Sequence, residues 1–160
     1  MRIEIERKFM VTGQEWRAVA SPGRLLRQGY FVPAGRAATI RVRCSADGAW
    51  LAIKGPREGP VRPEFEYEVP LADAEEMLRT LCVDRTIEKL RYSIEADGLV
   101  WNVDEFRGAN SGLVFTEVEL ESSDQPVKLP SWVGEEITGR EEYRNAVLAE
   151  RRFRDSPALP

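Results

Sequence analysis

Histidine is absent from this sequence of 160 residues, cysteine occurs only twice, and long apolar runs are missing. The lack of histidine excludes histidine-dependent catalytic triads and histidine metal sites, so any metal would be a hard cation held by carboxylate oxygens. Cys44 and Cys82 have no CxxC spacing and are expected to be buried thiols rather than a disulfide or a zinc site. No apolar run approaches the roughly 20 residues needed to span a bilayer, so no membrane partner is expected.

The composition indicates one globular domain. Hydrophobic residues make up 42% and charged residues 31% of the chain, a balance typical of soluble proteins. We expect a single domain over residues 1–155, followed by a frayed tail at 156–160. The charged N-terminal stretch lacks the apolar core of a signal peptide, so a cytoplasmic location is expected. A net charge of -4 argues against nonspecific binding of nucleic acid.

Period-two alternation of apolar and polar residues dominates the chain and predicts strands. The predicted strands cover residues 2–11, 24–32, 37–45, 49–55, 62–69, 86–95, 98–107 and 113–121. Short turns that contain glycine separate several of them, which indicates antiparallel neighbours. The sequence therefore predicts a mainly β fold of the α+β type.

Two helices are predicted beside these strands. The first covers residues 73–82, where Asp73 and Glu76 have the spacing of a capping box. The second begins near Glu141 and places Tyr143 and Val147 on one side. We expect these helices, one of them C-terminal, to cover the sheet.

Six of the predicted strands have one apolar face and one charged face. On the first strand, for example, apolar residues alternate with Glu4, Glu6 and Lys8. In an ordinary sandwich or small barrel, the charged faces would point to solvent. Here, however, the charges are grouped by sign along the chain, whereas solvated faces usually mix them. Eight antiparallel strands can also close into a barrel that holds one small ligand, so the charged faces could instead line its interior.

The charges that share this parity balance one another. They comprise seven acids, Glu4, Glu6, Glu64, Glu66, Asp104, Glu117 and Glu119, and seven bases, Lys8, Arg41, Arg43, Lys54, Arg62, Lys89 and Arg91. An interior of this kind is tolerable only if it is wet and its charges are paired with one another or with a ligand. Triphosphate, which bears about four to five negative charges near neutral pH, satisfies this requirement when divalent cations accompany it.

The same residues form a known pattern. Glu4-Ile5-Glu6-Arg7-Lys8 is an ExExK motif, and it is followed by Arg41-Val42-Arg43, Lys54-Gly55, Arg62-Pro63-Glu64-Phe65-Glu66, Lys89-Leu90-Arg91, Asp104 and Glu117-Val118-Glu119. From residue 2 to residue 149 the chain resembles the CYTH superfamily, the triphosphate tunnel metalloenzymes. The resemblance implies an eight-stranded antiparallel closed barrel whose charged tunnel binds triphosphate compounds with Mg²⁺ or Mn²⁺.

Gln28-Gly29-Tyr30 is similar to a motif of the small bacterial members that hydrolyse inorganic triphosphate to pyrophosphate and phosphate. We expect this activity, with a small triphosphate molecule as the substrate. Class IV adenylyl cyclases, thiamine or nucleoside triphosphatases, and a polyphosphate-binding module without catalysis are alternatives with the same tunnel. Outward apolar residues such as Leu51 and Ile53 could also pack a second copy of the chain in a homodimer.

The resemblance and the residue chemistry together imply roles for most of these residues. The expected metal ligands are Glu4, Glu6, Asp104, Glu117 and Glu119. The expected phosphate-binding residues are Lys8, Arg41, Arg43, Lys54, Arg62, Lys89 and Arg91. Lys8, Tyr30 and Glu66 are expected to take part in catalysis. Arg7 has the opposite parity and should lie outside the barrel.

Overall fold

The computed structural model describes residues 1–151, which form nine strands, two α-helices and three short 3-10 helices. The strands are β1 (Arg2–Val11), β2 (Arg24–Tyr30), β3 (Thr39–Ser45), β4 (Gly48–Lys54), β5 (Val61–Val69), β6 (Thr86–Ala96), β7 (Leu99–Phe106), β8 (Val114–Glu119) and β9 (Val133–Glu136). The helices are α1 (Leu71–Thr80) and α2 (Asn145–Glu150). The predicted tail and the predicted end of the domain lie outside the described residues.

Eight of the strands close into an antiparallel barrel, which confirms the predicted fold class. Their order is β5-β4-β3-β2-β6-β7-β8-β1, and β1 also pairs with β5. This closing contact has four register pairs, from Arg2 opposite Glu64 to Ile5 opposite Val61. The first strand therefore has partners on both edges, β5 on one and β8 on the other.

The ninth strand was not predicted. β9 pairs with the second half of β1, where Phe9 lies opposite Glu136 and Val11 opposite Val133. Its four residues are too few to show an alternating pattern, so its conformation depends on β1 rather than on local sequence.

Both helices begin at residues other than those predicted. The predicted capping box is wrong because Pro70 occupies the N-cap position and α1 begins at Leu71. Asp73 instead lies in the first turn, where its charge interacts favourably with the helix dipole. The segment Glu141–Tyr143 is a 3-10 helix, and α2 begins only at Asn145. The predicted C-terminal helix is thus present, with a later start.

Apolar side chains form three clusters around the barrel. In one of them Trp101 lies between Phe9 and Trp132, with ring centroids 5.8 and 5.9 Å away. A second cluster joins Ala74 of α1 to β3 and β4, and the third includes Leu148 of α2. The helices therefore cover apolar surface of the strands, as predicted. Both cysteines are free and buried, which confirms the expectation for them.

Charged side chains occupy the interior of the barrel. Within residues 1–151 the buried charged residues are Glu4, Arg41, Lys54, Glu64, Lys89, Asp104 and Glu117, all of which belong to the predicted inward set. In the same range no helix has the length and apolar character required to cross a bilayer.

Candidate active site

The charged interior is a tunnel that reaches solvent at two ends. One end, here called the basic mouth, is lined by Arg57, Arg140 and Arg144. The other end opens from a cavity of about 260 Å³ whose lining includes Glu66 and Glu119. Residues that line both cavities form the shared middle of the tunnel, namely Glu6, Arg41, Lys54, Arg62, Glu117 and Asn145. The predicted site residues line these cavities, with the exception of Asp104. Asp104 lies behind Lys89 and Arg91, to which it is hydrogen-bonded.

Glu4 is the centre of a buried group of ion pairs on one wall. It accepts hydrogen bonds from Lys54 Nζ and, at 2.6 Å, from Arg62 Nε. Lys54 also lies 3.1 Å from Glu64. Burial raises the pKa of Glu4, but the charges of Lys54 and Arg62 outweigh it and bring the pKa to about 2. Glu4 is therefore ionised and paired at neutral pH.

Asp104 holds two cations on another wall. It accepts hydrogen bonds from Lys89 Nζ at 2.6 Å and from two nitrogens of Arg91 at 2.7 Å. Arg91 donates as well to Glu117 at 3.0 Å. Burial raises the pKa of Asp104, but Arg91 and Lys89 keep it below its usual value, while burial lowers the pKa of Lys89 to about 8. This carboxylate fixes the positions of Lys89 and Arg91.

Arg41 and Arg43 are neighbours on the inward face of β3 and have only long contacts to an acid. Glu66 Oε2 lies 3.5 Å from Arg41 Nη2 and 3.6 Å from Arg43 Nη2. Arg41 Nε is buried without a hydrogen-bond partner. Burial, together with repulsion from Arg41 and Arg91, lowers the pKa of Arg43 to about 10. Guanidinium groups with unused donors have the geometry to bind phosphate oxygens.

Glu6 lies opposite another acid across the sheet. Its cross-strand partner on β8 is Glu119, and Arg57 Nη2 lies 4.0 Å from its carboxylate. Burial and repulsion from Glu117 and Glu4 raise the pKa of Glu6 to about 7. Like charges directly opposite each other destabilise a sheet. A divalent cation beside Glu6 would therefore relieve this repulsion.

The acidic residues fit a cation that is bound jointly with phosphate. Among residues 1–151 no group of three or more metal-ligating side chains forms a preformed cage. Mg²⁺, however, usually binds through one or two carboxylates plus substrate phosphates and retains several waters. Glu6 and Glu119 provide such a pair, and the buried Oδ1 of Asn145, which has no hydrogen-bond partner, lies in the same cavity. The predicted ligands Glu4, Asp104 and Glu117 accept hydrogen bonds from lysine or arginine, and Glu119 lies 2.8 Å from Arg2 at the more exposed end of the tunnel.

Tyr30 and Lys8 both line the cavity at the basic mouth. Gln28 Nε2 donates a hydrogen bond to the Tyr30 hydroxyl at 2.8 Å, which leaves the phenolic proton available for donation. Burial raises the pKa of Tyr30 to about 12, so this side chain is neutral at physiological pH. Lys8 Nζ donates to the carbonyl of Tyr143 at 2.9 Å and lies 3.4 Å from Glu117. Neutral Tyr30 can thus donate a hydrogen bond to a phosphate or a water molecule and does not act as a base.

The structure also places residues that the sequence reasoning assigned differently or missed. Arg7 points away from the tunnel and donates to Glu136 of β9 at 2.9 and 2.6 Å, which confirms its outward orientation. Arg57 and Asn145 line the tunnel but were missed. Arg57 lies in the loop between β4 and β5, and Asn145 is the first residue of α2. Neither position has the strand parity that identified the other residues.

Sequence comparison shows the family of the chain. Residues 2–152 match the CYTH domain. A protein of Acetivibrio thermocellus named inorganic triphosphatase is 41% identical over 152 residues, which are 95% of this chain and 96% of that protein. An inorganic triphosphatase of Nitrosomonas europaea is 36% identical over 150 residues, covering 91% of this chain and 96% of the relative.

A solved structure agrees with these sequence relatives. The crystal structure of an inorganic triphosphatase matches with a TM-score of 0.65 and 31% identity, covering 92% of this chain and 98% of that chain. The similarity to that structure thus extends over nearly the whole chain. The chain belongs to the CYTH family.

Proposed function

We propose that this chain hydrolyses inorganic triphosphate to pyrophosphate and phosphate, with Mg²⁺ or Mn²⁺ as the cofactor. The observation that carries the proposal is that several charged groups in the middle of the tunnel lack a close partner of opposite charge in the described part of the chain. Arg41 and Arg43 have only long contacts to an acid, whereas Glu6 faces Glu119. A polyanion accompanied by a divalent cation supplies the missing partner to both groups. Relatives named inorganic triphosphatase support this assignment.

The cations of the tunnel have distinct proposed roles in substrate binding. Arg41 and Arg43 bind phosphate oxygens directly, since their donors are the least occupied. Lys54 and Arg62, held by Glu4, extend the binding surface along the wall. Lys89 and Arg91, fixed by Asp104, offset the charge that develops on the leaving pyrophosphate. Glu66 keeps the guanidinium groups of Arg41 and Arg43 aligned.

The carboxylates provide the oxygen ligands. Glu6 and Glu119 are the proposed primary ligands, and Glu4 and Glu117 lie beside them in the tunnel lining. Asp104 remains a predicted ligand, although its hydrogen bonds to Lys89 and Arg91 would have to be exchanged first. When bound, the cation would polarise phosphate oxygens and make a water molecule more acidic.

Lys8 and Tyr30 orient the reacting end of the chain of phosphates. Both are hydrogen-bond donors at the basic mouth, with positions fixed by Tyr143 and Gln28 respectively. The oxygen of a water molecule bonds to the terminal phosphorus while the bond to the leaving pyrophosphate breaks; one proton of the water stays on the released phosphate and the other passes to the pyrophosphate. Phosphoryl transfer of this kind depends on positioning and electrostatics, which a site without histidine can provide.

A substrate panel tests the proposal. The purified protein is incubated with inorganic triphosphate, thiamine triphosphate or ATP, with Mg²⁺ and Mn²⁺ in parallel and with EDTA as a control. We expect metal-dependent release of phosphate and pyrophosphate, fastest from inorganic triphosphate. Production of cyclic AMP from ATP would support the cyclase alternative. Tight binding of triphosphate without product would instead identify a polyphosphate-binding module.

A further inference from the structure

Arg57 connects the tunnel with the surface outside it. The residue lines the cavity at the basic mouth and also an adjoining surface groove, which Thr138 and Gly139 help to form. Only 21% of its side chain is exposed. A ligand that enters through the basic mouth therefore passes Arg57.

One edge of the Arg57 guanidinium is anchored by the loop that carries it. Nη1 donates to the carbonyl of Pro60 at 3.1 Å, and the same carbonyl accepts the backbone N–H of Glu6 at 3.1 Å. Glu58 and Val61 exchange two backbone hydrogen bonds of 2.8 and 3.0 Å, which close the loop tightly. The loop is thus attached to β1, so Arg57 is held in place before any ligand binds.

The other edge of the guanidinium has no anion within hydrogen-bonding distance among the described carboxylates. Nη2 lies 3.9 Å from Glu4 and 4.0 Å from Glu6. Glu4 already accepts hydrogen bonds from Lys54 and Arg62, so it does not require Arg57. Burial and repulsion from Arg62 lower the pKa of Arg57, which is the effect expected of a cation without a close counter-ion. An ion pair within the protein therefore does not explain the position of this side chain.

The two other arginines of the basic mouth differ in this respect. Arg144 lies 2.8 Å from Glu141, and Arg140 lies 2.7 Å from Glu142. Their charges are offset by neighbouring carboxylates. Arg57 is consequently the arginine of this mouth whose contacts with acids are all long within residues 1–151.

We propose that Arg57 determines specificity by binding the unesterified trailing phosphate of an inorganic polyphosphate chain, which selects triphosphate over nucleoside triphosphates. The inference rests on the proposed function. When the two leading phosphates lie beside Lys89 and Arg91 as the leaving pyrophosphate, the trailing phosphate, which is the one attacked, lies at the basic mouth, where Lys8, Tyr30 and Arg57 line one cavity. In inorganic triphosphate this group is terminal and loses a second proton near pH 6, so it offers several charged oxygens. In a nucleoside triphosphate the same position is an ester with less charge and a bulky substituent.

Steady-state kinetics with Arg57→Ala and Arg57→Lys test the inference. We measure kcat/KM for inorganic triphosphate and for ATP. If ATP is not cleaved, its Ki as an inhibitor of triphosphate cleavage is measured instead. Arg57→Ala should lower kcat/KM for triphosphate by about 10- to 100-fold and alter the ATP value by less than about 3-fold. Arg57→Lys keeps the charge but loses the planar fork, so an intermediate effect is expected. Equal losses on both substrates, or no loss, would overturn the inference.

Two controls separate this result from other causes. Arg79→Ala removes an exposed arginine of α1 that pairs with Glu76, and it should leave both substrates unaffected. The Kd of inorganic triphosphate in EDTA, where metal-dependent cleavage does not occur, is measured by calorimetry; it should rise about 10-fold in Arg57→Ala at an unchanged melting temperature, and an unchanged Kd would contradict the role of Arg57. Failure of the unmodified protein to cleave triphosphate with metal would refute the proposed function, whereas the triphosphate Kd in EDTA would still report on Arg57.

Discussion

At the scale of single residues, Glu6 carries an unfavourable charge within the tunnel. Burial and the carboxylates of Glu117 and Glu4 raise its pKa from 4.5 to about 7. Between these two values the folded protein binds more protons than the unfolded chain does. The free energy of unfolding therefore decreases as the pH rises through this window. Without a bound cation, the ionised form of Glu6 destabilises the barrel.

The substitution Glu6→Gln should stabilise the metal-free protein at pH 8. It removes the unfavourable charge and nearly preserves the shape, so the free energy of unfolding should increase by about 1–3 kcal/mol. The gain should disappear near pH 4.5, and urea denaturation at several pH values measures it. Glu95→Gln, an exposed position on β6, is the matched control. A Glu6→Gln protein that is less stable than the unmodified one at pH 8 would contradict this account of Glu6.

Cys82 gives a second prediction at this scale. Burial raises the pKa of its thiol to about 11, and burial also raises the pKa of Cys44. Because the thiolate is the reactive form, neither cysteine should react with a thiol reagent at pH 8 while the protein is folded. Colorimetric labelling should detect no reactive thiol in the native protein and two after unfolding in urea. Rapid labelling of the folded protein would show that these side chains are accessible.

At the scale of secondary-structure elements, Gly29 fixes how closely α1 packs against the barrel. The residue lies on β2 between Val42 of β3 and Thr86 of β6. A Cβ atom at this position would lie 2.6 Å from Cys82 Cβ and 2.8 Å from Leu78 Cδ2. Glycine therefore serves the contact with α1 and the segment that follows it, while its neighbours Gln28 and Tyr30 form the tunnel wall.

Gly29→Ala should destabilise the protein because the added methyl group overpacks this contact. A loss of about 1–3 kcal/mol is expected, measured as the free energy of unfolding in urea. Arg27→Ala on the same strand, which removes an exposed pair with Glu75, should change stability by less than about 0.5 kcal/mol. If the two substitutions had equal effects, close packing of α1 at Gly29 would be excluded.

The elements differ in how well their sequence predicted them. The eight barrel strands follow from period-two alternation, because inward charges and outward apolar groups repeat along each strand. β9 has only four residues and obtains its conformation from pairing with β1, which local sequence does not show. The predicted start of α1 was wrong because the capping-box pattern assigned the N-cap position to Asp73, whereas Pro70 occupies it.

At the scale of the whole molecule, barrel closure brings together charges that are distant in sequence. Glu4 of β1 accepts hydrogen bonds from Lys54 of β4 and Arg62 of β5 on one wall. Asp104 of β7 accepts hydrogen bonds from Lys89 and Arg91 of β6 on another wall. Strand parity predicted that these residues share the interior. Parity could not predict which charges pair, since pairing depends on register and on side-chain reach across the tunnel.

Because strand parity does not predict which charges pair, it also could not show which charges stay available for a ligand. The pairing leaves the guanidinium groups of Arg41 and Arg43 and the carboxylate of Glu6 with weak or unfavourable contacts. These residues define the expected position of a bound triphosphate and its cation. Arg57 comes from a loop, where no periodic pattern reports the direction of a side chain. Its part in the tunnel became visible only from the folded structure.

We claim that the charged interior of the barrel hydrolyses triphosphate, which substitutions inside and outside the barrel can test. Phosphate release from inorganic triphosphate with Mg²⁺ or Mn²⁺ is compared between the unmodified protein, Glu6→Ala, Arg43→Ala and Arg7→Ala. Glu6→Ala and Arg43→Ala should each lower kcat/KM by about 100-fold or more, because both groups stabilise charge in the transition state. Arg7→Ala, which removes an outward pair with Glu136, should stay within about 2-fold. No phosphate release by the unmodified protein, or equal losses in Arg7→Ala and Arg43→Ala, would contradict the claim.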